Sequence, residues 1–362
     1  LIEVTWKEIL GLLSRRTDLT QEQAAWAMEE LMSGGATDSQ IAAFAMGLRV
    51  KGETPTEITG LVNTMMKHAI RVTLDRHAVD VVGTGGDGAH TVNISTMAAL
   101  TVAGAGVPVL KHGNRAVSSK SGTADVLEAL GVAINMPPIL VSSAVAEAGI
   151  GFCLAPAHHP ALKYAATVRK ELGVPTVFNV LGPLANPGQP KAALIGVADG
   201  KIVPTLAEVQ LQRGMCSILV NSEDGLDEIS TAAKTRAWDV TSGTIREELI
   251  DPQSFGIKLS TPEQLRGGDA KYNAQVVRAI LAGRSDGNLQ AIRDVVALNS
   301  AAALVAYDAA IGYFTYGLVT DSLTSRISRA LPIAYGSLDS GAAESVLDVW
   351  VSVSQRFALE AN

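Results

Sequence analysis

Cysteine is nearly missing from this chain, aromatic residues are sparse, and positive charge is in the minority. Two cysteines in 362 residues, Cys153 and Cys216, rule out a disulfide scaffold. Both sit in apolar, strand-like runs, so buried free thiols in a reducing compartment, the cytoplasm, are expected. Aromatics at 4% against 47% hydrophobic leave packing to Ala, Val, Leu and Ile, the profile of a helix-covered sheet. A net charge of −7 excludes the basic face of a general nucleic-acid or membrane binder. An anionic substrate must then be met by local cations. No uninterrupted apolar run reaches membrane-spanning length and no signal peptide is visible. The first residue is Leu, as expected where an initiator was trimmed or left out. There is no nucleophile-elbow motif, no internal repeat and no low-complexity tract.

What is abundant is glycine in one place. The β-branched run Val79 to Val82 feeds a loop holding Gly83, Gly85, Gly86 and Gly88. That loop ends on Asn93, Ser95 and Thr96, N-cap residue types for an apolar helix starting near Met97. Strand, glycine loop and helix start together hold phosphate, because bare backbone N–H groups and the positive dipole end face the oxygens. Gly83, Gly85 and Gly88 also satisfy the dinucleotide fingerprint, which requires an acidic residue about 20 positions on. Here the second strand, Val107 to Leu110, runs instead into Lys111-His112-Gly113-Asn114-Arg115. A basic strand end suits more phosphate and argues against a nicotinamide ribose. Lys111, Asn114, Ser118 and Ser119 can surround phosphate and ribose oxygens. Arg115 either joins them or fixes the loop, and Asp125 is expected to cap the helix that follows.

Residues 1–75 read as all-helical: Thr5 to Ser14, Thr20 to Ser33, Thr37 to Lys51 and Thr54 to His68 each pair a cap with helix-period apolar residues. From Val79 onward, strands at 79–83, 107–110, 150–154, 192–198 and 216–221 alternate with helices at 96–105, 121–130, 138–148, 160–172 and 201–213. That alternation predicts an α/β fold: a small helical N-terminal domain hinged to a larger domain with a mostly parallel sheet flanked by helices. The helical domain takes 1–75 with 165–190 as hinge or insertion, and the α/β domain takes 76–164 and 191–362. Thr235 to Val240 and Thr244 to Ile250 read as an antiparallel hairpin. Asp269 to Ala282, Leu289 to Leu318 and Gly341 to Leu359 are helical again.

Asp227-Glu228 follows the strand at Ser217 to Val220 and offers either an Mg²⁺ site or an acidic surface turn. Glu223 and Asp224, across the Gly225 turn, are the solvated pair. Arg169 alone reads as a solvated helix residue. His158-His159 lack a second ligand pair, which excludes zinc. Trp6, Trp26, Trp238 and Trp350 read as core.

Several motifs in order make the chain resemble the anthranilate phosphoribosyltransferase family over nearly its whole length. They are Gly83-Thr84-Gly85-Gly86-Asp87, Asn93 to Thr96, Lys111 to Arg115, Ala155 to Ala161, Phe178 to Pro187, Gly225 to Ser230, and Gly35 to Phe44. The resemblance implies a nucleoside phosphorylase/phosphoribosyltransferase-like fold, a homodimer, two Mg²⁺ per monomer, and no nucleic acid or membrane partner. It implies transfer of the phosphoribosyl group from phosphoribosyl pyrophosphate to the amine of anthranilate, a step of tryptophan biosynthesis. Carried over by position, phosphoribosyl pyrophosphate falls to Gly83, Gly86, Asp87, Thr91, Asn93, Ile94, Ser95, Thr96, Lys111, His112, Gly113, Asn114, Arg115, Ala116, Val117, Ser118, Ser119 and Thr123. Anthranilate falls to Gly83, Asn114, Arg169, His112 and His159, and the metals to Ser95, Asp227 and Glu228, with no protein nucleophile. Asn221 departs from the pattern, which has histidine there. The competing readings are a pyrimidine nucleoside phosphorylase-like transferase and a non-catalytic, nucleic-acid-binding relative of the same fold.

Overall fold

Threonine starts the first four helices. The computed structural model describes residues 4–116 and 120–360. In it α1 (Trp6–Ser14), α2 (Gln21–Ser33), α3 (Asp38–Lys51) and α4 (Pro55–Lys67) are capped by Thr5, Thr20, Thr37 and Thr54. The last three caps form reciprocal boxes with Gln23, Gln40 and Glu57. Glu57 goes further. Its carboxylate is fully buried and accepts from the Leu19 amide (2.8 Å) and from Lys51 Nζ (2.9 Å), tying three helices together.

Beyond the bundle come β1 (Val79–Gly83), α5 (Ile94–Gly104), β2 (Val109–Gly113), α6 (Thr123–Ala129), α7 (Val141–Ala148) and β3 (Ile150–Leu154). The chain then re-enters the bundle through α8 (Ala155–His158), α9 (Lys163–Leu172) and α10 (Phe178–Leu181). It returns to the sheet as β4 (Ala192–Gly196), α11 (Val203–Gln212), β5 (Cys216–Ser222), β6 (Thr235–Asp239) and β7 (Arg246–Ile250). It closes with α12 (Ala270–Leu281), α13 (Leu289–Ile311), α14 (Leu323–Asp339) and α15 (Ala342–Glu360).

The seven strands lie in the order β3-β2-β1-β4-β5-β6-β7. The first five run parallel and the last two pair antiparallel, so the α/β class and the hairpin stand as expected. Alternation along the strands splits the core. Val79, Val81, Leu194, Ile218 and Val220 face a cluster shared with α5, α12, α13, α14 and α15. Ala193, Ile195, Leu219 and Trp238 face a second cluster, continuous through α11 into the helical bundle, α9 and the Val177–Ala185 stretch. The glycine- and proline-rich segment at 173–190 is therefore packed, not bare: Val177, Leu181 and Ala185 are buried.

Two expectations are corrected. β2 does not stop at Leu110; it continues through Gly113, because Lys111 and His112 stay in register with Phe152 and Cys153 of β3. The helix expected over 289–318 ends at Ile311 on a left-handed Gly312, and α14, which carries Pro332 within it, was not anticipated. One helix, α13, is long and apolar enough to cross a membrane by length and composition, but Arg293, Asp294 and Asp308 interrupt its run, as the absence of an uninterrupted apolar stretch requires. Most of it is buried in the protein core, between the sheet and α5, α12 and α14.

Candidate active site

The glycine loop leaves β1 at the C-terminal edge of the parallel strands, where open α/β sheets take ligands. Gly85, Gly86 and Gly88 have φ of 67°, 80° and 70°, a region closed to most side chains. Thr84 anchors the loop: its amide donates to Gly196 O (2.9 Å) and its hydroxyl accepts from the Ala198 amide (3.0 Å). Asp87 Oδ1 accepts from the Ala89 amide, so Asp87 stays at the loop's inner side, half-buried. The far end is tied down by Thr91, which bridges to Arg266, and by the Val92 amide donating to Leu265 O.

Asn93 occupies the N-cap position of α5 without capping it. Its Oδ1 accepts instead from Asn273 Nδ2 at 2.8 Å. The first turn of α5 therefore looks elsewhere for an acceptor. The Ser95 amide donates to Glu228, a carboxylate at the positive end of the helix. Ile94 is in the core and its amide is spent on Val92 O. Thr96 Oγ1 is buried with no partner among the described residues.

Asp227 and Glu228 are each only 8% exposed, which decides against an acidic surface turn. Gly83 and Gly196 are paired in register on adjacent strands and form the slot that receives Asp227. A Cβ at Gly83 would stand 2.5 Å from Asp227 Oδ2, and one at Gly196 would stand 1.5 Å from Asp227 O. Asp227 Oδ2 accepts from the Gly85 amide at 2.7 Å. Burial, then the neighbouring Asp87, pushes the Asp227 carboxyl up to about 7. Burial and Asp227 drive Glu228 well above the ordinary range, with Lys111 opposing. Two carboxylates in so dry a place call for a cation. Among the described residues no three His, Cys, Asp or Glu converge as a ligand set. Mg²⁺ does not need one, since it binds through one or two carboxylates and leaves the rest of its shell to water and phosphates.

Lys111 is on β2, 2% exposed, and its ammonium donates to Val81 O and to Ser95 Oγ (3.1 Å). Burial lowers its pKa, while Asp80, Glu228 and Asp227 oppose the shift. It lies under the loop as a fixed positive charge, not in the loop itself. Asp80, pushed up to about 6 by burial, accepts from the His112 amide and from Asn186 Nδ2 and completes the underside. Asp80, Asn273 and Gly196 were not singled out from the sequence, and Asn186 entered only as part of the Phe178 to Pro187 motif. Of the first three, only Gly196, a glycine inside a strand, left a signal there.

His112, the next residue of the strand, points to the other face. Its Nδ1 bonds Gly182 O (3.0 Å) and its ring lies 5.3 Å from that of His159, whose Nε2 bonds Ala185 O (2.8 Å). His112 Nε2 and His159 Nδ1 are buried without partners among the described residues. Burial lowers the two rings to about 3 and about 4, so both are neutral at pH 7. A ring whose pKa is depressed on folding stabilises above the unfolded value near 6.5 and loses that contribution as the pH falls. His112→Asn should therefore narrow the stability gap to wild type by about 2 kcal/mol between pH 7 and pH 5. Urea unfolding at both pH values reads it; a gap of constant size would mean that His112 is charged when folded.

Arg169, on α9, is half-buried over the Phe178 ring (5.8 Å) with no hydrogen bond or ion pair among the described residues. Burial lowers its pKa. An arginine desolvated without an acid is poised for an anion. Arg115 is not: its guanidinium is forked onto Glu128 (2.6 and 2.8 Å) and reaches Asp125 (3.1 Å). Asp125 accepts from the Ala116 and Gly122 amides, so this pair shapes the loop and starts α6 at Thr123. Asn114 Oδ1 accepts from the Arg115 amide, and Gly113 packs against Phe152. Val117, Ser118 and Ser119 lie outside the described residues. Asn221, the departure from pattern, donates to Val197 O and Ala198 O and secures the end of β4. Asp224 and Glu223 are exposed, with Asp224 bonding Ser230 Oγ to hold the turn.

Two family models match the chain: a glycosyl transferase family α/β domain over residues 75–313 and its helical bundle domain over residues 7–69. The anthranilate phosphoribosyltransferase of Saccharopolyspora erythraea is 50% identical, covering 99% of this chain and 98% of that protein. The enzyme of the same name from Salinispora arenicola is 51% identical, covering 97% of both. Among solved structures, the anthranilate phosphoribosyltransferase of Thermus thermophilus superposes with a TM-score of 0.85 at 36% identity, over 96% of this chain and 99% of that one. The Saccharomyces cerevisiae enzyme in complex with PRPP and Mg gives 0.84 at 26% identity, over 98% and 99%.

Proposed function

The chain belongs to the anthranilate phosphoribosyltransferases, and from that membership we propose how its residues carry out the reaction. It transfers the 5-phosphoribosyl group from phosphoribosyl pyrophosphate to the anthranilate amine, releasing pyrophosphate, in tryptophan biosynthesis. The observation that carries the assignment is the convergence of the glycine loop, the α5 start and the buried Asp227–Glu228 pair at one sheet edge.

Loop amides at Gly86 and Gly88, both at positive φ, hold the diphosphate while the Gly85 amide stays on Asp227, and Lys111 supplies a fixed positive charge beneath them. Asp227 and Glu228, with Asp87 and Ser95 beside them, would hold Mg²⁺, in our reading two ions per monomer. Held there, Mg²⁺ would supply positive charge to offset that developing on the departing pyrophosphate. Arg169 forks onto the anthranilate carboxylate, and Asn114, His112 and His159 line the same substrate. Their task is to aim the neutral aryl amine at C1 from the face opposite the leaving group. No residue needs to act as nucleophile. The helical bundle, α9 and the 165–190 segment form the unit that covers the aryl side, and the bundle serves as the homodimer contact. The free thiols Cys153 and Cys216 support a cytoplasmic setting.

Loss of anthranilate fluorescence on mixing the chain with Mg²⁺ and phosphoribosyl pyrophosphate tests the reaction; unchanged fluorescence refutes it. Free base released from a pyrimidine nucleoside and phosphate would favour the phosphorylase reading. Arg169→Ala should raise KM for anthranilate by about 100-fold, the scale of a lost charge-assisted fork, with KM for phosphoribosyl pyrophosphate within about threefold. Equal effects on both would remove the role given to Arg169.

A further inference from the structure

The two chain crossings between bundle and sheet, residues 69–78 and 185–191, run side by side at the pole opposite the glycine loop. Between them is a cavity of about 390 Å³, within the size range of small-molecule sites. Its walls carry Arg71, Arg76 and His77 from the first crossing and Lys191 from the second. None of these four side chains makes a hydrogen bond or ion pair among the described residues. In a chain of net charge −7 these four exposed groups line one cavity with no acid in its walls. Asp75, exposed as they are, belongs to the same crossing but does not line the cavity.

The second wall is rigid. Asn186 holds the turn from within, donating to Asp80 Oδ2 and Leu110 O (both 2.8 Å) and accepting from the Gly188 amide (3.0 Å). Gly188 presses on Leu110 so closely that a Cβ would stand 2.1 Å from its Cδ2, and Gln189 adopts φ 47°. The Val72 amide donates to Pro187 O, stitching one crossing to the other (3.3 Å). Arg213 lies behind, in an adjoining cavity that shares Gln189 and Pro190, and feels the charge of Arg71.

We propose that this seam is a second anion site, separate from the catalytic loops, that takes a phosphate-type polyanion between Arg71, Arg76, His77 and Lys191. Two sources share that chemistry: inorganic phosphate, and the pyrophosphate released by the reaction. A bound anion bridges both crossings and braces the bundle against the sheet. The site does not depend on the catalytic assignment, because its occupancy is read without turnover.

Calorimetric titration of the whole chain with phosphate and, separately, with pyrophosphate tests the site, in buffer free of Mg²⁺ and of phosphoribosyl pyrophosphate, a polyanion that would compete for the seam. Wild type should show a binding event that depends on the seam's cations. Arg76→Gln with Lys191→Gln should weaken it at least about 10-fold while leaving the circular-dichroism spectrum and anthranilate turnover unchanged. Should the double variant not fold, Lys191→Glu alone carries the same expectation. Tighter binding of pyrophosphate than of phosphate identifies the reaction product as the ligand, and equal affinities identify a single-phosphate site. The proposal is overturned if no event is seen up to about 10 mM, or if the variants bind as wild type does.

Discussion

Asp227→Asn combined with Glu228→Gln should cost at least about a thousandfold in turnover at any Mg²⁺ concentration, while the folded protein becomes no less stable. The two outcomes pull apart for one physical reason. Both carboxyl groups are nearly inaccessible, lie beside each other and have Asp87 close by, with Lys111 as the adjacent cation. Without bound metal, such like charges repel in a dry setting and oppose folding. Amides of the same shape keep the useful contacts: the side-chain oxygen of Asn at 227 still accepts from the Gly85 amide, and that of Gln at 228 from the Ser95 amide. Initial rates across an Mg²⁺ series, with thermal unfolding in chelator, read the pair together. A double variant active at ordinary Mg²⁺ would end the metal assignment. One that is inactive because it is unfolded would end the argument from repulsion.

Gly196→Ala should be as damaging for the opposite reason: it removes nothing and adds one methyl group. The added carbon would stand 1.5 Å from Asp227 O and 2.5 Å from its carbonyl carbon, both backbone atoms with no rotamer to yield. Overpacking a core side chain commonly costs about 1–3 kcal/mol; a clash with fixed main chain inside a central strand should exceed that, about 4 kcal/mol or more. Activity should fall with it, since the only relief is to move Asp227 out of its slot. Gly85→Ala is the control: nothing lies within 4 Å of its Cβ, so its cost comes from φ 67° alone, about 1 kcal/mol. A Gly196→Ala protein that unfolds at the wild-type denaturant midpoint would show that the slot is loose.

Much of this site was legible in the sequence because its chemistry is local. A glycine loop after a β-branched strand and threonine caps before apolar periods are written within about ten residues of each other. What could not be read is what depends on partners far along the chain. Arg115 and Lys111 stand four residues apart in one basic stretch, yet the first is spent on Asp125 and Glu128 while the second is buried under the loop. The difference comes from β2 continuing to Gly113, and that continuation is set by pairing with β3, not by the residues themselves. Asn93 has the right identity for a cap and is diverted by Asn273, 180 positions away. α14 escaped because Pro332 sits inside it, against the usual reading of proline as a breaker. For Asp227–Glu228, a surface turn or a metal pair on sequence grounds, burial removes the surface turn, and burial is something no local pattern carries.

The return of the chain to the bundle through α9 also bears on how the protein is made. Ala165 and Val168 of α9 belong to the core closed by α2 and α3, but they follow the end of α4 by roughly a hundred residues. At about 5–20 residues per second on the ribosome, the first four helices wait about 5–20 seconds with that face uncovered. Through that interval the nascent chain presents an apolar surface to other nascent chains and to chaperones. Substitutions that weaken α9 should therefore lower the yield of soluble protein out of proportion to their effect on the finished molecule.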